Sequence, residues 1–203
     1  MNDLFAAVIH DVKNQLAELS LRLGERDDAQ QEMVIALNAA RRLSEVLLVH
    51  RQESDLLSVN QDSVDTADFL AILAAEYREL FPALTFDIDV AQAPAFAFFD
   101  DALVRLALSN ALHNACRSAK TRVRLSAREQ DAMLILEVAD DGPGFPAGML
   151  TNEGGIPAFV SNRGTGLGLY LARKIAELHK LKERHGRIEL SNAEGAVFRM
   201  FLP

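Results

Sequence analysis

The residues best suited to chemistry gather in short stretches of the chain. Val138-Ala139-Asp140-Asp141-Gly142-Pro143-Gly144-Phe145-Pro146 ends an apolar run with a carboxylate and two closely spaced glycines. Glycine lets a ligand or a second backbone come nearer than a side chain allows, and a carboxylate in an apolar setting accepts a hydrogen bond from an amino group such as that of adenine. Gly164-Thr165-Gly166-Leu167-Gly168-Leu169 opens a helical pattern, so its backbone N–H groups and the helix N-terminus suit phosphate oxygens. It has neither the Lys-Ser/Thr ending of a P-loop nor the spacing of a dinucleotide fingerprint. Asn110, Asn114 and Arg117 recur at helical steps on one face. An amide oxygen can complete the shell of a Mg²⁺ that keeps its waters and leans on phosphates, and arginine pairs with those phosphates. His10, followed by Asp11, lies about 200° around its helix from Val8, off the apolar stripe. A neutral imidazole nitrogen is a nucleophile near neutral pH, and an adjacent carboxylate can hold the ring or take its proton. Taken singly, each stretch has an ordinary alternative: an Asp-Gly turn, a glycine cluster, a solvated helix face, a surface histidine.

The elements that carry these residues follow from hydrophobic periodicity. From Phe5, the residues Val8, Val12, Leu16, Leu19 and Leu23 recur at steps of three or four and predict an amphipathic helix ending near Gly24. A second stripe runs through Met33, Leu37, Ala40, Leu43 and Leu47. Residues 1–57 therefore read as a helical hairpin, and two helices bury too little alone, so a homodimer forming a four-helix bundle is expected. Ser58 to Ser63 reads as a linker, and a second domain over 64–203 follows. There the spacing predicts helices over Thr66–Leu80, Asp100–Ala119 and Leu167–His179. Strands are expected over Thr85–Val90, Arg122–Ala127 and Leu134–Val138, with a closing hairpin of Arg187–Leu190 and Val197–Leu202. The fold class is α+β, an α/β sandwich with helices on one face of a mixed sheet. Ala147 to Arg163 carries Gly148, Gly154, Gly155 and Pro157 with little periodicity, which suits a flap over a ligand.

Composition narrows the function classes. A net charge of -8 argues against general nucleic-acid binding. The longest apolar runs fall far short of the roughly 20 residues of a membrane span, and no signal-like segment follows Met1, so a cytoplasmic protein is expected. The single cysteine, Cys116, excludes an internal disulfide and a multi-cysteine metal site, and its apolar helical surroundings predict buried packing.

The order of the pieces carries more than any one of them. An asparagine-bearing helix, an Asp-x-Gly-x-Gly strand end, a glycine-containing flap and Gly-Thr-Gly-Leu-Gly-Leu opening a helix resemble the nucleotide-binding domain of histidine kinases and of the gyrase, chaperone and mismatch-repair ATPases. The resemblance runs from about Val64 to the C-terminus. It implies ATP and Mg²⁺ as ligands, with Asn114 holding the metal, Asn110 beside it and Arg117 touching phosphate. Asp140 would meet the adenine amino group, while Gly142, Gly144, Gly164, Thr165, Gly166, Leu167 and Gly168 would shape the pocket. His10-Asp11-Val12-Lys13-Asn14-Gln15 resembles the phosphoacceptor box of histidine kinases, which implies His10 as acceptor, Asp11 as base and a response regulator receiver domain as partner. Related kinases also remove phosphate with an amide or hydroxyl side chain near one turn beyond the histidine. Asn14 fits that place in the commoner subfamily and is the residue expected here, for its one-turn spacing, while Gln15 fits the corresponding place in another.

Three features depart from the family pattern. Ser118 stands where many members carry a bulky residue near adenine, and Leu181-Lys182-Glu183-Arg184 is an additional stretch, read as lengthening a helix. Only nine residues precede His10, so input is expected from a longer receptor or a separate sensor protein. A phosphotransfer adaptor of the same architecture, relaying phosphate without ATP, is the rival, and a module that closes on ATP without transfer is a third.

Overall fold

The computed structural model describes residues 58–150 and 167–203 together with Val12, Asn14, Gln15, Leu16, Glu18, Leu19, Glu32, Ile35, Ala36, Ala39 and Leu43. The chain divides into two compact units, residues 1–57 and 58–203. In the first, every described residue is helical, in line with the stripes. Ala36 is buried, whereas Val12 and Leu19 are 39% and 46% exposed. How the two helical stretches meet, and His10 with Asp11, lie outside the described residues.

The second unit is built on alternation. Strands β2 (Thr85–Gln92), β4 (Arg122–Gln130), β5 (Met133–Asp140), β8 (Arg187–Asn192) and β9 (Ala196–Leu202) form one sheet in the order β2-β4-β5-β9-β8. β2 runs parallel to β4 and the other pairs are antiparallel, so the sheet is mixed as expected. Register places Val123, Leu125 and Ala127 of β4 on one face with Leu136, Val138 and Asp140 of β5. Met200 and Phe198 of β9 join them, and this face is buried. A face so apolar must be covered. Helices α1 (Thr66–Leu80), α2 (Asp101–Ser118) and α4 (Leu167–Leu178) cover it, turning Leu70, Leu73, Leu108, Leu112, Leu171 and Ile175 inward. A single turn, α3 (Ala147–Leu150), follows the end of β5. The opposite face is polar, with Glu137 gripped by Arg199 at 2.6 Å and approached by Arg128 at 3.6 Å. A small cluster of Met133, Ile135 and Phe201 interrupts it, with the Arg187 guanidinium 3.8 Å over the Phe201 ring.

Two parts of the chain differ from the sequence expectations. The stretch expected as linker runs into strand β1 (Asp62–Asp65), which pairs antiparallel with β3 (Phe96–Phe99). Its Asp-Ser-Val-Asp composition has no strand signature, and only pairing with a distant apolar strand makes it one. Leu181 to Arg184 does not lengthen α4. Lys182 adopts φ 55° and reverses the chain, so that β6 (Lys180–Leu181) pairs with β7 (Arg184–His185). The helix stops because His179 is already committed, its Nδ1 lying 2.7 Å from the Ile175 carbonyl and its Nε2 accepting the Asp100 N–H at 3.0 Å. Gly186 then passes so near the helix that a Cβ there would stand 2.2 Å from the Ala176 carbonyl oxygen.

The His179 tie joins the end of α4 to the N-cap of α2, where Asp100 also accepts N–H bonds from Leu103 and Asn60. Accepting at Nε2 while donating at Nδ1 defines a neutral imidazole. Burial lowers its pKa below the ordinary 6.5, against opposing pulls from the Ile175 carbonyl and the Asp100 charge. The unfolded chain therefore takes up this proton before the folded one does. Stability from this residue is complete above pH 6.5 and is lost as pH falls through the lower folded value. Urea midpoints measured from pH 7.5 downwards are expected to decline, and His179→Gln, though less stable throughout, should show a shallower decline.

Candidate functional site

Asp140 takes the next inward position after Leu134, Leu136 and Val138, so strand alternation alone aims its carboxylate beneath the helices. It is 8% exposed. Oδ1 accepts the Gly142 N–H at 2.7 Å and the Ala196 N–H at 3.3 Å. Among the described residues both hydrogen bonds fall on Oδ1, so Oδ2 is able to accept from a ligand's amino group. Gly142 is required by contact: a Cβ there would lie 2.3 Å from the Ser118 carbonyl oxygen. Gly144 is required by conformation, with φ +81°.

The neighbouring Asp141 does a different job. Its oxygens accept the N–H groups of Lys120, Thr121 and Arg122 and the Thr121 hydroxyl, tying the turn after α2 to the end of β5. The Thr121 hydroxyl bond, with the backbone donors, holds the carboxyl below the usual carboxylate range despite partial desolvation. Cys116 is buried close enough to Asp140 to feel its charge; burial first, and that charge second, push the thiol up to about 12. It therefore stays a protonated, packing cysteine, in line with its apolar helical surroundings.

Helix α2 links this corner to a second one. Asn110 is 4% exposed and packs against the first turn of α4, where a Cβ on Gly168 would stand 3.2 Å from the Asn110 Cγ. The Asn110 Nδ2 is buried with no hydrogen-bond partner among the described residues, a state that ordinarily costs about 1–3 kcal/mol. Asn114 and Arg117 are exposed, so the face expected to be uniformly available emerges from beneath α4 only after Asn110. Asn114 stands one turn from Asn110 and one turn from Ser118, so the two corners are about 12 Å apart along the helix. A molecule with an amino-bearing base at one end and phosphates at the other matches that separation in kind.

Asn14 lies in a helix with its side chain exposed, as does Gln15. Gly164, Thr165, Gly166 and the side chain of Leu167 lie outside the described residues, as does Arg163. Leu167 itself is the first residue of α4, so its backbone opens that helix as expected. Nothing in the local sequence singles out Gly195 and Ala196, which meet Asp140 from the turn between β8 and β9. The model of the histidine kinase-, DNA gyrase B- and HSP90-like ATPases matches residues 99–203, more than half of the chain.

The chain belongs to this ATPase family. Within it, the chain carries the ATP-binding domain of a two-component histidine kinase core. It is 28% identical over 214 residues to the sensor protein kinase PilS of Pseudomonas aeruginosa, covering 97% of this chain and 39% of that protein. The chain thus spans less than half of the length of that relative. Among solved structures, the Acinetobacter baumannii histidine kinase AdeS superposes with a TM-score of 0.65 at 17% identity, covering 87% of this chain and 84% of that one. Full-length ShkA in complex with AMPPNP superposes with a TM-score of 0.68 at 20% identity, covering 100% and 46%. Among the described residues, no helix is long and apolar enough to cross a membrane.

Proposed function

We propose that this chain is the core of a dimeric cytoplasmic kinase that transfers the γ-phosphoryl group of ATP to His10 and passes it on to an aspartate of a response regulator. The observation that carries this reading is the Asp140 carboxylate: buried, held on one oxygen by Gly142 and Ala196, and turned towards the helix that bears Asn114. Such a carboxylate distinguishes an adenine, which offers an amino donor, from a base offering a carbonyl at the same edge. At the other corner, the Asn110 amide, with no partner for its Nδ2 among the described residues, would provide a donor for phosphate oxygens, and the exposed Arg117, two turns along the same helix face, would reach them with its long side chain.

Mg²⁺ fits the exposed Asn114 amide oxygen, because this ion takes few protein ligands and completes its shell with phosphates and water. Its charge would neutralise the phosphate oxygens. In the transfer itself, a bond forms between a His10 ring nitrogen and the γ-phosphorus while the bond from that phosphorus to the β–γ bridging oxygen breaks, releasing ADP. The imidazole proton passes to Asp11. Catalysis then rests mainly on holding the two partners in line. The exposed Val12 and Leu19 on the first helix support association with a second copy, which would cover them. Asn14, or Gln15 in its place, would orient water for the reverse task of dephosphorylating the regulator. Input would come from a longer receptor or a separate sensor protein.

Calorimetric titration with ATP tests the nucleotide half of this proposal. Wild type is expected to bind in a Mg²⁺-dependent manner. Asn114→Ala should retain the Mg²⁺-free affinity while losing the increase that Mg²⁺ brings. Absence of nucleotide binding by the wild type would favour a phosphate relay that works without ATP.

A further inference from the structure

Asn192 ends β8, and its exposed amide bonds both polar groups of one backbone position 47 residues away. Oδ1 accepts the Phe145 N–H at 2.7 Å, and Nδ2 donates to the Phe145 carbonyl at 2.9 Å. An exposed side chain held this way gives up rotamer freedom and makes the contact of a strand bridge. Gly144, at φ +81°, lies flat against the same amide, so close that a Cβ would stand 2.8 Å from its Cγ and Oδ1.

We infer that Asn192 is a positioning residue for base recognition: by clamping Phe145 it holds the Asp140–Phe145 corner so that the Asp140 carboxylate keeps one orientation. This rests on the nucleotide reading above. The corner is gripped twice by the turn between β8 and β9, since Ala196 donates to Asp140 Oδ1 at one end and Asn192 holds Phe145 at the other. Gly142, whose N–H makes the shorter bond to Oδ1, lies between the grips. Releasing Phe145 frees Gly142 to move off Oδ1. The terminal torsion of an aspartate is broad, so the carboxylate then turns away from the orientation that favours an amino donor. Asn192 therefore governs selectivity between bases without touching the nucleotide.

The test compares ATP and GTP affinities, in Mg²⁺, for the full chain and its Asn192→Ala variant, with thermal midpoints recorded alongside. The variant is expected to bind ATP about tenfold more weakly, the equivalent of about 1.4 kcal/mol. GTP binding should change little, so that the preference for ATP shrinks by a similar factor. Asn192→Asp keeps the acceptor for the Phe145 N–H but sets a carboxylate against the Phe145 carbonyl; its preference should fall between the two, and it decides the matter if the alanine variant does not fold. A preference equal to wild type in a folded variant, whatever its thermal midpoint, would assign Asn192 a structural role and overturn the inference. Failure of the wild type itself to bind ATP would overturn the nucleotide reading first and this inference with it.

Discussion

Asp140→Asn is expected to leave the domain folded and to weaken ATP binding about 100-fold, from the loss of a charged hydrogen bond worth about 1.5–3 kcal/mol. The substitution is nearly isosteric, which separates recognition from packing. The two N–H donors that reach Oδ1, from Gly142 and Ala196, require an acceptor and will select the amide oxygen for that side. The NH₂ group is then forced to the position of Oδ2, where it meets the adenine amino group donor against donor. A titration should therefore show affinity lost with the thermal midpoint nearly kept. Removal of the Asp140 charge should also let the neighbouring Cys116 thiol titrate lower, because that charge is its second largest perturbation after burial.

Gly195→Ala is expected to have the largest effect on stability. A Cβ there would lie 2.2 Å from the Asp140 carbonyl oxygen and 2.7 Å from the Gly142 nitrogen. Both are backbone atoms of the corner that presents the carboxylate, and neither can rotate away. Forcing a methyl group into such a contact costs about 1–3 kcal/mol, or a fall of about 2–12 °C in thermal midpoint for a domain of this size. Because relief must displace Asp140 or Gly142, nucleotide binding should fail together with stability. Gly168→Ala provides the contrast: among the described residues, the nearest atoms to its Cβ belong to the Asn110 side chain, at 3.2 Å, which can give by a few tenths of an ångström. That variant should keep its thermal midpoint within about 1 °C, and any loss should appear in phosphate-dependent affinity.

These two glycines also mark where the sequence is legible. Gly168 stands in a motif that announces itself, six residues leading into a helical pattern, and the structure finds it at the start of α4 against Asn110. Gly195 reads only as part of a hairpin turn, because its partner Asp140 lies more than fifty residues away and nothing local reports the contact. The direction of Asp140 is readable, since Leu134, Leu136 and Val138 set the parity that aims it inward. Its neighbour Asp141 has the opposite parity and ends as a clamp on Thr121, a role visible only once β4 and β5 pair.

The elements divide in the same way. Helices α1, α2 and α4 and the strands of the main sheet carry their own periodicity, and their cores are recognisable within three residues of their ends. The β1–β3 pair and the reversal at Lys182 are not. Asp62–Asp65 becomes a strand through Phe96–Phe99, and α4 ends where His179 meets Asp100, both choices made by tertiary contact over local preference. Asn192 belongs to this class too, as a polar turn residue whose importance lies wholly in Phe145.

The most direct measurement is incubation of the purified protein with γ-labelled ATP and Mg²⁺, comparing wild type with His10→Ala. Transfer to a histidine predicts label that survives alkali, is released by acid, and is absent from His10→Ala while that variant still binds ATP. Label retained at full level by His10→Ala, or a wild type that binds Mg-ATP and never becomes labelled, would contradict the assignment of His10 as the acceptor of a kinase.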